Sequence, residues 1–283
     1  MVGIVAASDS KSVLIVGHGL TITDVFELSP GLFLQPNVPN LQLDATEKAC
    51  NSFADYAAVV HGREIATFAL RIEHEESSKA LVTKAWNALW KFHLLSISCN
   101  YPCFSLYSVS DGRRPLFSAA NRTPLVQPLP TLHLATTDEL LWVRQNASMF
   151  DKLIHVPEFG AAMRCYGNAH YLPDLDIRIM LLWAGIEGLL SVDAELSRRL
   201  ALYATLMFNG SPDEKILYFE EVKKAYAIRS RAVHGAGVKL GKLDAGYRSA
   251  SRILAGLLAR CVELGRVPSP AELDRLAVSP VLH

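Results

Sequence analysis

The chain has 283 residues, half of them hydrophobic, and its 28 Lys plus Arg balance its 28 Asp plus Glu. That is enough apolar material for one large or two modest cores, and zero formal charge excludes a globally basic nucleic-acid binder, so any polyanion site must rest on local charge. Five scattered cysteines, an odd number, suit a reducing compartment, no apolar run reaches membrane-spanning length, and no basic region with an apolar core opens the chain. A soluble, cytoplasmic protein without a membrane partner is expected.

Val13-Leu14-Ile15-Val16 reads as a strand and Thr21 to Leu28 as a second, after which Pro30, Pro36 and Pro39 interrupt regular structure. Gly17-His18-Gly19 invites a nucleotide-loop reading but lacks a third glycine, a Lys-Ser/Thr pair and a helix behind it, so His18 is read as a turn residue. Asp44-Ala45-Thr46-Glu47 has the form of a capping box, opening a helix with Ala49, Phe53, Tyr56, Ala57 and Val60 on one face. Alternation predicts a strand from Glu64 to Ile72, and Glu73-His74-Glu75-Glu76, too compact to converge on one ion, reads as a charged turn.

A helix is predicted from about Ser78 to Ser98, with Trp86, Trp90 and Phe92 in the core. Cys99-Asn-Tyr-Pro-Cys103 is the one close cysteine pair, and without a second Cys or His pair at finger-like spacing it does not make a zinc site. The Pro-rich stretch to Thr136 offers strands at Tyr101 to Ser108 and Leu132 to Ala135, with Arg113, Arg114 and Arg122 read as loop charges that could also touch a ligand. A helix from Thr137 to Phe150 leads to a domain boundary at His155-Val156-Pro157.

The second half reads as all helix: Glu158 to Tyr171, Leu175 to Ser191, one capped by Asp193, Pro212 to His234, Lys242 to Leu264, and a short one behind Ser269-Pro270-Ala271-Glu272. The fold class is therefore α+β, a mixed α/β domain over 1–156 followed by an all-α bundle over 157–283. The helix from Leu175 is apolar on nearly every side, as a central bundle helix must be. Its exception is a strip of Ala184, Glu187, Gly188 and Ser191, whose small residues admit a close neighbour. Glu187 either pairs with Arg229 or another arginine, or sees water.

The helix from Pro212 opens with a capping box, Ser211-Pro212-Asp213-Glu214, and is expected to stop at Gly235. Phe219, Val222, Tyr226, Arg229 and Val233 fall on one stripe. Arg229 thus occupies a burial face, and a guanidinium, which cannot shed its charge, needs there an acid, an interface or an anion. His234 comes about 140° further round and about 7.5 Å along the axis, near enough for both to reach one phosphate. From Val222 to Arg260 the sequence has nine basic residues, Lys224 and Arg231 among them, against one acid, Asp244, a strip suited to phosphate.

The segment Arg229-Ser230-Arg231-Ala232-Val233-His234 resembles the signature of the HEPN superfamily, an arginine, four to six residues including a polar one, and a histidine near a helix end. Arg164 and His170 repeat the bare pattern and are read as a decoy. Leu181-Leu182-Trp183-Ala184-Gly185-Ile186-Glu187-Gly188-Leu189-Leu190, Arg199-Leu200-Ala201 and the motif itself are similar, in order and spacing, to the ApeA-like branch, over roughly 158 to 265.

The resemblance implies a HEPN-like helical bundle, a homodimer in which two motifs meet in a shared cleft, and an endoribonuclease working without metal or other cofactor. In that chemistry a base removes the 2′-OH proton, the oxygen attacks phosphorus, and a 2′,3′-cyclic phosphate and a 5′-OH result. Arg229 and His234 would be catalytic, the first stabilising phosphorane charge and the second moving the proton. Ser230, Arg231 and Lys224 would hold substrate phosphates, Glu187 would orient Arg229, and Tyr226 would pack. It further implies a role in bacterial antiviral defence or a toxin system, with an antitoxin or defence partner and a sensory or regulatory first half. The alternative is a HEPN-type module for dimerisation or for RNA or nucleotide binding without catalysis, Arg229 being buried against Glu187.

Overall fold

The computed structural model describes residues 3–40, 42–74, 77–121, 126–192, 196–233 and 237–279. It is an α+β protein of two compact units, Met1–Ala147 and Ser148–His283. The division falls inside a helix, whereas the sequence reading placed it after Val156.

The first unit is built on a six-stranded antiparallel sheet of order β3-β4-β5-β1-β6-β7. The strands are β1 Ser12–His18, β3 Phe26–Ser29, β4 Leu32–Gln35, β5 Phe68–Glu73, β6 Phe104–Ser110 and β7 Phe117–Ala119, while β2 Leu20–Thr21 and β8 His133–Leu134 form a small parallel pair. β1 and β5 are central, and Val13, Ile15, Val16, Phe68, Leu70 and Ile72 are wholly buried. Helices α1 Leu43–Ala49, α2 Phe53–Ile65, α3 Ser78–Ser98 and α4 Thr137–Leu153 complete it, α4 running past the division. α2 packs on β6 and β7, and α3 on β1, β5 and β6.

Several sequence expectations change here. The helix expected from Asp44 is two helices, α1 starting from Gln42 without a side-chain cap and α2 starting from Ser52, whose hydroxyl accepts from the Asp55 N–H. α2 extends to Ile65 and displaces the start of β5 to Phe68, because Ala58, Val59 and Gly62 gain more as a buried helical face than a longer strand would. Strands β4 and β7, short and set among prolines and glycines, escape the periodicity signal. Trp86 is 41 % exposed and not core. Glu75, Glu76 and Arg122 lie outside the described residues, while Arg113 and Arg114 are exposed loop charges.

The nucleotide-loop pattern at Gly17-His18-Gly19 is close packing. β1 leads into β2, not a helix, and a Cβ on Gly17 would lie 2.4 Å from the Phe68 ring and 2.7 Å from that of Phe92. His18 is no turn residue: it is the buried last residue of β1, and its Nε2 accepts from the Leu129 N–H at 2.9 Å.

The second unit contains α5 Pro157–Ala169, α6 Leu175–Leu190, α7 Leu196–Met207, α8 Pro212–Val233, α9 Leu240–Leu264 and α10 Pro270–Val278. The almost uniformly apolar α6 packs on α5, α7, α8 and α9, burying Ile179, Leu182, Trp183, Ile186 and Leu189. Close approach is secured by glycine. A Cβ on Gly185 would lie 2.8 Å from Leu254 Cδ2 and 2.9 Å from Cys165 Cβ, and one on Gly246 would lie 2.7 Å from Ile228 Cγ2. The predicted caps of α8 and α10 are present, Ser211 with Glu214 and Ser269 with Glu272, and α9 closes on left-handed Gly265. Asp193 and Gly235 lie outside the described residues. Arg199, at 2.9 Å, and the Tyr203 hydroxyl both bond Asp274, joining α7 to α10. Among the described residues no helix is long and apolar enough to cross a membrane.

Candidate functional site

Arg229 lies in the last full turn of α8, one turn before the helix ends at Val233. Its Nη2 is 3.2 Å from Glu187 Oε1 and 3.4 Å from Oε2, with the hydrogen bond running to Oε2. Of the two environments left open for Glu187, the pair with Arg229 is the one formed. It is not a two-nitrogen fork, since one guanidinium nitrogen serves both oxygens, and the Nε is buried with no hydrogen bond among the described residues. The Arg229 and Glu187 side chains keep 24 % and 21 % exposure, so the pair sits at the edge of the bundle.

Tyr226 walls it, backed in turn by Trp183. Tyr226, three residues before Arg229, stands edge-on to Trp183 at 5.1 Å, and the guanidinium carbon is 5.5 Å from the Tyr226 ring centroid. Tyr226 therefore packs, and it also gives the cation a π face. Trp183 is fully buried, and its Nε1 makes no hydrogen bond among the described residues; Glu187 Oε1 shares that condition. At the Arg229–Glu187 pair, two buried polar atoms without hydrogen bonds among the described residues, Arg229 Nε and Glu187 Oε1, mark a place where the fold leaves polar capacity unmet. Burial raises the Glu187 pKa and the charge of Arg229 pulls it back, burial being the larger effect. The pair is thus held at some cost in stability rather than as a source of it.

The strip beside Glu187 is open. Ala184, Gly188 and Ser191 are exposed, and a Cβ on Gly188 would meet nothing within 4 Å among the described residues. The expectation that its small residues admit a close neighbour is not met among the described residues; that role belongs to Gly185. Ser230 is half-buried, and Arg231 and Lys224 are exposed. Arg231 Nε donates to the Ala227 carbonyl at 3.3 Å, which lays its side chain back along α8. Val233, expected on the buried stripe, is 42 % exposed. His234 lies outside the described residues.

The basic strip is less positive than the sequence window implied, because acids on neighbouring turns and helices answer it. Lys223 pairs with Glu220, Arg248 with Asp244, Arg252 with Glu221 and Arg260 with Glu263. Lys224, Arg231, Lys239 and Lys242 are exposed and carry no ion pair among the described residues. The repeat of the pattern in α5 does not converge: Arg164 is exposed, whereas His170 is buried with its Nδ1 2.7 Å from the Tyr247 hydroxyl. Sequence reasoning missed Trp183 as the support behind Tyr226, though its i,i+4 spacing from Glu187 places both on one helix face. Comparisons with protein-family models, curated proteins and solved structures give no match.

Proposed function

We propose that the helical unit is a HEPN-like bundle acting as a metal-independent endoribonuclease, with Arg229 and His234 catalytic. The observation that carries this reading is Arg229 itself: a cation at a helix end, oriented by Glu187 through a single nitrogen and left partly open beside an exposed strip. An arginine meant only to neutralise an acid is better served by a sealed two-nitrogen fork. Glu187 and Tyr226 position the guanidinium, and the exposed Arg231 and Lys224, with Ser230, flank it as phosphate contacts. His234, five residues on in sequence, supplies an imidazole, a group suited to take the 2′-OH proton, while Arg229 meets the charge growing on the phosphorane.

One Arg–His pair supplies half of an acid/base set, so the reading includes a homodimer with two motifs facing one cleft. Val233 and Leu240, exposed on either side of residues 234–236, provide apolar surface for a second copy. By the same resemblance the first unit would sense or regulate, within antiviral defence or a toxin system with its own partner. The non-catalytic reading, a dimerisation or RNA-binding module, is favoured by one observation, that Glu187 already answers the Arg229 charge.

Cleavage of single-stranded RNA separates the two. His234→Ala should abolish cleavage while preserving the dimer, and a 2′-deoxy residue at the scissile position should block it. Full activity of His234→Ala, or normal cutting of the deoxy substrate, would exclude the mechanism.

A further inference from the structure

In the first unit, the fold brings Cys99 to His133 and Glu139, residues more than thirty positions further along the chain. Cys99 is the C-cap residue of α3, His133 opens β8 and Glu139 lies in the first turn of α4. The Cys99 sulfur, a His133 ring nitrogen and a Glu139 carboxylate oxygen all lie within 4.8 Å of one another. We propose that Cys99, His133 and Glu139 form a site for a borderline-soft divalent cation, Zn2+ first among them, with a fourth position open to water.

Each ligand is anchored from behind. The Cys99 N–H donates to the Leu95 carbonyl at 2.9 Å and the His133 N–H to the Gly19 carbonyl at 3.0 Å. Ser98 Oγ donates to the Glu139 carbonyl at 2.9 Å, tying the end of α3 to the start of α4. The Tyr101 ring stacks on His133 with centroids 5.8 Å apart, and its hydroxyl bonds the Thr131 carbonyl. Glu139 receives the Thr136 N–H and hydroxyl on Oε2, while His133 Nε2 lies 3.0 Å from both its oxygens. Tetrahedral zinc sets ligand atoms about 3.3–3.7 Å apart, so the widest pair, at no more than 4.8 Å, must close by at most about 1.5 Å.

The donor set suits the ion chemically. Thiolate, imidazole and carboxylate are all zinc ligands, and one thiolate with one carboxylate cancels the charge of a dication in a half-buried place. The His133 and Glu139 side chains keep 29 % and 22 % exposure, which gives the ion a path and a water ligand. Without an ion, burial pushes the Cys99 thiol up to about 12, with the Glu139 charge adding to it, so the thiol is no nucleophile. A bound dication reverses that preference, and uptake releases the thiol proton. Cys103 is also a buried thiol near Cys99, but it is not part of the cluster.

Cobalt(II) titration of the full chain after removal of metal by chelation is the test. The expected result is one equivalent bound, with intense visible bands of a tetrahedral ion and a thiolate-to-cobalt charge-transfer band, all removed by added Zn2+. Cys99→Ser should lose the charge-transfer band, His133→Ala should weaken binding at least about tenfold, and Cys103→Ser should keep both. Absence of the charge-transfer band in the unaltered protein overturns the proposal whether or not the variants fold, as does its survival in Cys99→Ser.

Discussion

Replacing Arg229 by Ala, alone and together with Glu187→Gln, separates a counter-ion from a catalytic group. Arg229→Ala leaves a carboxylate whose side chain is only 21 % exposed facing no cation. An orphaned buried polar group costs about 1–3 kcal/mol, and the value should stay below the ~3–5 kcal/mol of a sealed pair because water reaches this edge. The cost should depend on pH in a definite direction. Burial raises the folded Glu187 pKa above the unfolded value, so ionising it disfavours folding as pH rises from the unfolded to the folded pKa. Removing Arg229 deletes the influence that lowers that pKa, so the destabilisation should be larger at pH 8 than at pH 5. Glu187→Gln in the same chain removes the unpaired charge and should restore most of the stability, read as the urea midpoint by far-UV circular dichroism.

Cleavage should behave otherwise. Losing a preorganised donor to the developing phosphorane charge lowers the rate by roughly 10²–10³-fold, and Glu187→Gln cannot return it. A double variant that folds like the parent and cuts single-stranded RNA at the parent rate would refute the catalytic assignment and leave Arg229 as a counter-ion.

Gly185→Ala should destabilise by about 1–3 kcal/mol because its methyl would sit under 3 Å from Leu254 and Cys165, whereas Gly188→Ala should stabilise by roughly 0.8–1 kcal/mol since no described residue lies within 4 Å; equal denaturation midpoints would contradict this. Burial lowers the His93 pKa from 6.5 to about 4. The unfolded chain therefore binds more protons in that window, and stability should fall as pH drops from 6.5 towards 4. His93→Gln should reduce that slope without abolishing it, because His18 is shifted the same way; an unchanged slope would count against the assignment. Val233→Lys with Leu240→Lys should convert a dimer to a monomer in light scattering with loss of RNA cleavage, and a persistent dimer would move the interface elsewhere.

Much of the helical unit was legible in the sequence because helix ends are written in short-range chemistry. Ser211 with Glu214, Ser269 with Glu272 and Gly265 each satisfy backbone groups within a few residues, so their meaning travels with the local sequence. The same locality misled at Asp44, where a capping-box pattern falls inside α1, and at β4 and β7, strands too short to show a period.

The sequence alone determined the α+β class, the central apolar α6 and the anomaly of a charged Arg229 on a helical face. Tertiary structure decided which acid answers it, Glu187, 42 residues away, which glycine is packed and which is open, and that Cys99, His133 and Glu139 meet. The reason is physical: capping and periodicity depend on neighbours within a turn or two, whereas a charge partner or a ligand set depends on how separate elements cross, and that is set by the packing of the whole core.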